Sequence, residues 1–105
     1  MRSFFGGIFI DRDKLKKNGI EYPIKLEYYK TITETKENIE QYGIQIIKTE
    51  YIGEKIETEE KEIKRITEDE RKVEDILKMF KENEVTPIGC EDILDDLFTI
   101  YKNVE

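Results

Sequence analysis

The sequence predicts an α+β domain: an antiparallel β-meander of three to four strands, followed by two C-terminal helices packed on one face of the sheet. Three observations predict it. Apolar residues alternate with period two from Ile24 to Thr33 and again from Tyr42 to Tyr51. The connections between these runs are short, which favours antiparallel neighbours over parallel crossovers. At Thr67 the period lengthens to that of a helix and holds almost to the end of the 105-residue chain. A chain of this length makes one domain with its own core. Within it, residues 1–23 supply an N-terminal strand and loop, 24–66 the meander and 67–105 the two-helix segment.

Each element has its own cause. Residues 3–10, "SFFGGIFI", are apolar with two internal glycines and read as a short strand suited to a sheet edge. "DRDKLKKNGIEYP", 11–23, is charged and ends in turn signals at Asn18-Gly19 and Pro23, so it is a loop with room for a helical turn. From there Ile24, Leu26, Tyr28 and Ile32 alternate with Lys25, Glu27, Tyr29, Thr31 and Thr33, the pattern of a half-buried strand. "ETKENIEQ" is a polar connection. "YGIQIIKTEY", 42–51, is the next strand, and its neighbours Ile46 and Ile47 send one apolar group to each face. Gly53-Glu54 turns the chain into "KIETEEKEIKRI", 55–66, a weaker strand because glutamate has low β-propensity.

The first helix is predicted over 68–83. "TEDE" at 67–70 has the form of a capping box, with Thr67 accepting from the amide of Glu70 and the Glu70 carboxylate reaching back to Thr67. Val73, Ile76, Leu77 and Phe80 follow at helical spacing, and Glu68–Lys72 and Glu74–Lys78 are favourably oriented pairs one turn apart. The second helix starts at "TP". A residue before proline is held in the extended region that an N-cap adopts, and proline needs no amide partner at the first helical position. Thr86 is therefore the cap, Pro87 the first helical residue, and the helix runs to about Tyr101. On a helical wheel Cys90, Ile93, Leu94, Leu97, Phe98, Ile100 and Tyr101 occupy one arc, while Glu91, Asp92, Asp95 and Asp96 occupy the other.

That sorting decides the chemistry. Cys90 is near a helix start, but the chain has no histidine to serve as its base, and it lies on the apolar arc. It reads as a buried small hydrophobe. The carboxylates Glu91, Asp92, Asp95 and Asp96 read as a solvated acidic surface rather than a cation site, because a rigid helix face supplies no wrapping ligands. No histidine and one cysteine leave zinc without its usual ligands, and no glycine-rich phosphate loop is present. No cofactor or metal is implied. Net charge is −7, distributed as +3 over 1–30, −3 over 31–66 and −7 over 67–105. An acidic C-terminal third disfavours nucleic acid as a partner. The single thiol fits a reducing cytoplasm, and no apolar run is long enough to enter a membrane as a helix.

"YGIQI" (42–46), "ITEDERKVEDIL" (66–77) and "VTPIGCEDILDDLF" (85–98) together resemble a family of small uncharacterised proteins from clostridia and related spore-forming Firmicutes. The resemblance covers roughly residues 24–99. It implies a strand meander, a Thr/Ser-capped helix and a short acidic helix after a Ser/Thr-Pro segment, and it supplies no activity. The family pattern has a histidine and an apolar residue after the proline; Gly89 and Cys90 stand there in this chain, so no histidine role carries over.

The function expected is that of a non-enzymatic cytoplasmic protein–protein interaction or regulatory module, whose partner is another protein or a second copy in a homodimer. The alternatives are an acidic mimic of nucleic acid that blocks a basic enzyme and, third, an enzyme of unrecognised type. Two helices can cover only one face of a small sheet. If the register aligns them, Tyr29, Ile47 and Tyr51 form an interaction patch on the other face, flanked by Thr31, Thr33, Gln45 and Thr49. The competing arrangement has the N-terminal apolar segment folded over that face.

Overall fold

The computed structural model describes residues 1–103, without the side chains of Arg12, Asn18 and 98–103. The chain builds four strands in sequence order: β1 (Arg2–Ile10), β2 (Ile24–Glu34), β3 (Glu40–Ile52) and β4 (Lys55–Thr67). All three pairings are antiparallel, and the spatial order is β1-β2-β3-β4. Between β1 and β2 lie a single helical turn, α1 (Arg12–Leu15), and a 3₁₀ turn over Lys16–Asn18. Two helices follow the sheet, α2 (Glu70–Glu82) and α3 (Pro87–Asn103), and pack against it. The molecule measures 48 × 31 × 17 Å, a thickness of one sheet plus one helix layer.

The period-two pattern converts directly into a core. Ile24, Leu26 and Tyr28 on β2, with Tyr42, Ile44 and Ile46 on β3, point at the helices and are buried. α2 answers with Val73, Leu77 and Phe80, all fully buried, and α3 with Cys90 and Leu94. Each large apolar side chain removed from water in this way contributes about 1.5–3 kcal/mol before entropy is counted. Tyr28 is also fully buried, and its hydroxyl donates to the Val85 carbonyl at 2.8 Å, tying β2 to the α2–α3 connection. At the other end of the sheet the Lys30 ammonium bridges β2 to α2 through Glu70 (3.2 Å) and Glu74 (3.5 Å). Phe98, Ile100 and Tyr101, placed on the apolar arc of α3 from the sequence, lie outside the described side chains.

One local expectation is corrected. The cap of α2 is Asp69, not Thr67: its carboxylate accepts from the amides of Arg71 and Lys72 at 3.0 and 3.4 Å. Thr67 is still the last residue of β4, and its hydroxyl accepts from the Asp69 amide at 3.0 Å. Two side-chain acceptors, the Thr67 hydroxyl and the Asp69 carboxylate, stood within three residues, and the strand's claim on Thr67 decided between them. The strand expected over 55–66 forms as β4 despite its weak propensity, and at 13 residues it is as long as β3. Its glutamates stay largely in water on an edge strand, so their low propensity costs little against the pairing β3 offers. The start of α3 is as expected: Pro87 is its first residue, and the Thr86 carbonyl accepts from the Cys90 amide at 3.2 Å.

Gly43 marks one of two irregular places in the described sheet, the other lying between Phe4 and Gly6 of β1. Between the pairs Ile44–Ile63 and Tyr42–Thr67, β3 has only Gly43 whereas β4 has Lys64, Arg65 and Ile66. The extra residues form a bulge in which Arg65 takes φ +57°. The bulge presses the Ile63 carbonyl onto Gly43, where a Cβ would lie 2.2 Å from that oxygen.

Candidate functional site

The face of the sheet away from α2 and α3 gathers three exposed large apolar side chains, Phe4, Phe9 and Ile56, while Ile39 and Ile88 are exposed singly elsewhere. β1 brings Arg2, Phe4, Gly7 and Phe9 to it; β2 brings Lys25, Glu27 and Tyr29. β3 adds Gln45, Ile47, Thr49 and Tyr51, and β4 adds Ile56, Thr58, Glu60 and Glu62. Register fixes these neighbours: Glu27 lies beside Ile47, Tyr29 beside Gln45, and Tyr51 beside Ile56. Tyr29, Ile47 and Tyr51 thus share one face, each half-buried. Of their expected flanking residues Thr31, Gln45 and Thr49 are buried, and Thr33 is half-buried.

The partial burial has a cause on β1. This strand neither stays apart from the sheet nor folds across its face; it pairs with β2 at the edge and leans its rings inward. Phe4 meets Tyr29 edge-on, with centroids 5.5 Å apart at 70°, and Phe9 lies 6.4 Å from Tyr51 at 47°. The Arg2 guanidinium sits 4.2 Å above the Tyr29 ring and donates to the Gln45 amide oxygen at 2.7 Å. Beneath it, Glu27 accepts from the Tyr29 hydroxyl at 2.8 Å and lies 3.5 Å from the Lys25 ammonium. That hydrogen bond to a carboxylate, reinforced by burial, holds the Tyr29 phenol above its ordinary value, and Glu27 likewise raises Lys25. Several of the face's polar groups are therefore already partnered among themselves, so covering them strands fewer polar atoms. Phe4, Phe9 and Ile56 remain 60%, 62% and 67% exposed.

Phe4, Phe9 and Ile56 were not legible as site residues from alternation alone. A bulge in β1 between Phe4 and Gly6 puts Phe4 on the same face as Phe9, five positions away. Ile56 was within reach of hairpin arithmetic: a two-residue Gly53-Glu54 turn places it opposite Tyr51.

The acidic set belongs to the other layer. Glu91, Asp92, Asp95 and Asp96 are exposed on α3, and Glu91 is 3.2 Å from the Lys61 ammonium of β4. An open groove of about 400 Å³ runs between β4 and the start of α3, lined by Glu59, Glu60, Lys61, Pro87, Ile88 and Glu91. Among the described residues no cluster of three histidines, cysteines or acids is arranged to hold a metal, and no helix is long and apolar enough to cross a membrane. Cys90 is fully buried with its thiol directed at the Pro87 carbonyl at 3.3 Å, and burial pushes that thiol above its ordinary pKa.

A family of unknown function, DUF6514, matches this chain over residues 9–99. The chain belongs to that family. No curated protein and no solved structure matches it. The DUF6514 span begins at Phe9, so it takes in β2 to β4, α2 and most of α3, and leaves Arg2 to Ile8 of β1 ahead of it. Tyr29, Ile47, Tyr51 and Ile56 of the open face lie within the DUF6514 span; Phe4 and Arg2 lie outside it.

Proposed function

We propose that this DUF6514 chain is a non-enzymatic interaction module of the bacterial cytoplasm, working by binding a protein through the open face of its sheet. The observation that carries the reading is the combination on one surface of exposed Phe4, Phe9 and Ile56 with half-buried Tyr29, Ile47 and Tyr51. Aromatic residues over a prepaired polar layer are the composition of an interface centre, and an exposed apolar patch of this kind on an acidic domain is a site for a partner. The chemistry of the chain supports the non-enzymatic part: it has no histidine, and its one thiol is buried with a raised pKa.

The charge distribution speaks against a mimic of nucleic acid. β4 carries four acidic and four basic residues, and α2 likewise four and four, so neither adds net negative charge to the acidic surface of α3. Affinity purification from the native host, with wild type and the Ile47→Ser/Ile56→Ser variant side by side, tests the reading. The expected result is a stoichiometric protein partner that the folded variant fails to hold at low and high salt alike. A partner retained by the variant but released by moderate salt would favour the acidic surface instead.

A further inference from the structure

The two edges of the sheet are unlike. β4 presents Glu57, Glu59, Glu60, Lys61, Glu62, Lys64 and Arg65 along its length, the charges that natural sheets use to keep edges from pairing. β1 borders only β2, and from Ser3 to Ile10 it has no charge and no proline. Among the described residues no strand lies beside its outward backbone groups, and Phe4 and Phe9 stand 60% and 62% exposed above them. A chain of net charge −7 repels its own copies. They can approach most easily where carboxylates are absent, and β1 lies in the only third with a positive balance, +3 over residues 1–30.

The β1 sequence is also nearly its own mirror. Place a second copy antiparallel to it with the two-fold axis between Gly6 and Gly7. Phe4 then lies opposite Phe9 of the second copy, Phe5 opposite Ile8, and Gly6 opposite Gly7. Beyond these, Ser3 meets Ile10, and Arg2 meets Asp11 with opposite charge. The sides of the sheet agree as well. Phe4 and Phe9 both face the open side, while Phe5 and Ile8 both pack toward the core. The bulge in β1 creates this agreement, and the pleats conflict only at Gly6 and Gly7, which have no side chains to clash. On the open side Phe4, Gly7 and Phe9 border a shallow notch of about 310 Å³, into which a ring from the second copy fits.

We propose that the β1 edge pairs antiparallel with β1 of a second copy of this chain, joining two four-stranded sheets into one of eight strands. The pairing makes the two open faces continuous across the axis, so the module presents a doubled aromatic surface. It is independent of what that surface then binds.

Light scattering across a concentration series should show the mass rising from 12.6 kDa toward twice that value. Phe9→Lys, a change at an exposed position, should weaken association roughly tenfold or more, while Ile56→Ser on the far strand leaves it intact. The register has its own readout. With Phe4→Cys and Phe9→Cys combined, mild oxidation should give a disulfide-linked dimer, because the two positions face each other across the axis. Either single variant should link far more slowly, since like positions would sit about 17 Å apart, five residues at about 3.4 Å each. Buried Cys90 stays silent throughout. A protein that remains monomeric at about millimolar concentration, weaker than any specific contact of this size, overturns the proposal. So does a dimer abolished by Ile56→Ser but not by Phe9→Lys, or single cysteine variants that link as fast as the double.

Discussion

At the scale of single residues, three positions carry more of the structure than their chemistry advertises. Gly43 is required because the bulge in β4 brings backbone to within 2.2 Å of where its Cβ would be, and a carbonyl oxygen held in a ladder cannot step aside. Gly43→Ala is therefore expected to destabilise by about 3 kcal/mol or more, at the upper end for an overpacked site, as a shift in urea midpoint will show. Arg65, on the other side of the same bulge, takes φ +57°, so Arg65→Gly should be tolerated to within about 1 kcal/mol. Tyr28 is the second such residue. Its hydroxyl is the buried partner of the Val85 carbonyl, and Tyr28→Phe leaves that acceptor unsatisfied at a cost of about 1–3 kcal/mol. Cys90 is the third: fully buried, pointed at Pro87 and with a raised pKa, it should resist a thiol reagent in the native protein and react promptly in urea. Labelling at equal rates in both would mean that the start of α3 opens freely. Periodicity announces Tyr28 and Cys90 as core. It says nothing of Gly43, because the need for glycine there arises from a residue count on the neighbouring strand.

At the scale of elements, what the sequence states clearly is what local chemistry alone decides. Pro87 begins α3 because proline restricts both itself and Thr86, and no tertiary contact is needed to make that so. β2 and the apolar stripe of α2 follow from their periods in the same way. The elements that read less clearly are those where two local rules compete and a neighbour arbitrates. Thr67 and Asp69 can each cap a helix; β3 extends its ladder as far as the pair Tyr42–Thr67, and so the cap passes to Asp69. The energies should follow the geometry. Asp69→Ala loses an acceptor for two amides and should cost about 1 kcal/mol, with Thr67→Ala costing less, since it removes one bond to one amide. Equal losses in thermal midpoint for the two variants would restore Thr67 as the effective cap. β4 makes the same point for strands: its glutamates discourage a strand in isolation, yet a 13-residue partner and an aqueous edge make one. The candidate patch was legible as far as parity went, since Tyr29, Ile47 and Tyr51 need only be on one side. The contribution of β1 was not, because a bulge changes parity and leaves no mark in composition.

At the scale of the whole molecule, the phenols report how the two layers are joined, and they give the fold a specific weakness in alkali. Burial between sheet and helices, with the Glu84 charge nearby, pushes the Tyr28 phenol well above its ordinary value of 10.0. At the other end of the sheet Tyr42 donates to the Glu40 carboxylate at 2.7 Å, and that bond, with burial and the charges of Glu40 and Glu70, pushes it up to about 12. Tyr29 on the open face is raised by Glu27 in the same sense. In the unfolded chain these groups ionise near 10.0, while in the folded chain they keep their protons to higher pH. Between those limits the unfolded state binds fewer protons, so stability falls as pH rises. The contribution is present in full below about 10 and is lost as pH climbs through the folded values. Denaturant midpoints measured from about pH 8 to about pH 11 should therefore hold steady and then drop, and ultraviolet titration should show some phenols ionising later than the rest. The net charge of −7 also grows more negative over this range, and general repulsion would lower stability without any tyrosine being special. The Tyr42→Phe variant separates the two causes, because it removes the raised phenol while keeping Glu40 and the ring. If repulsion alone is responsible, the variant and the wild type lose stability in parallel; if the buried proton matters, the variant's curve is shallower above pH 10.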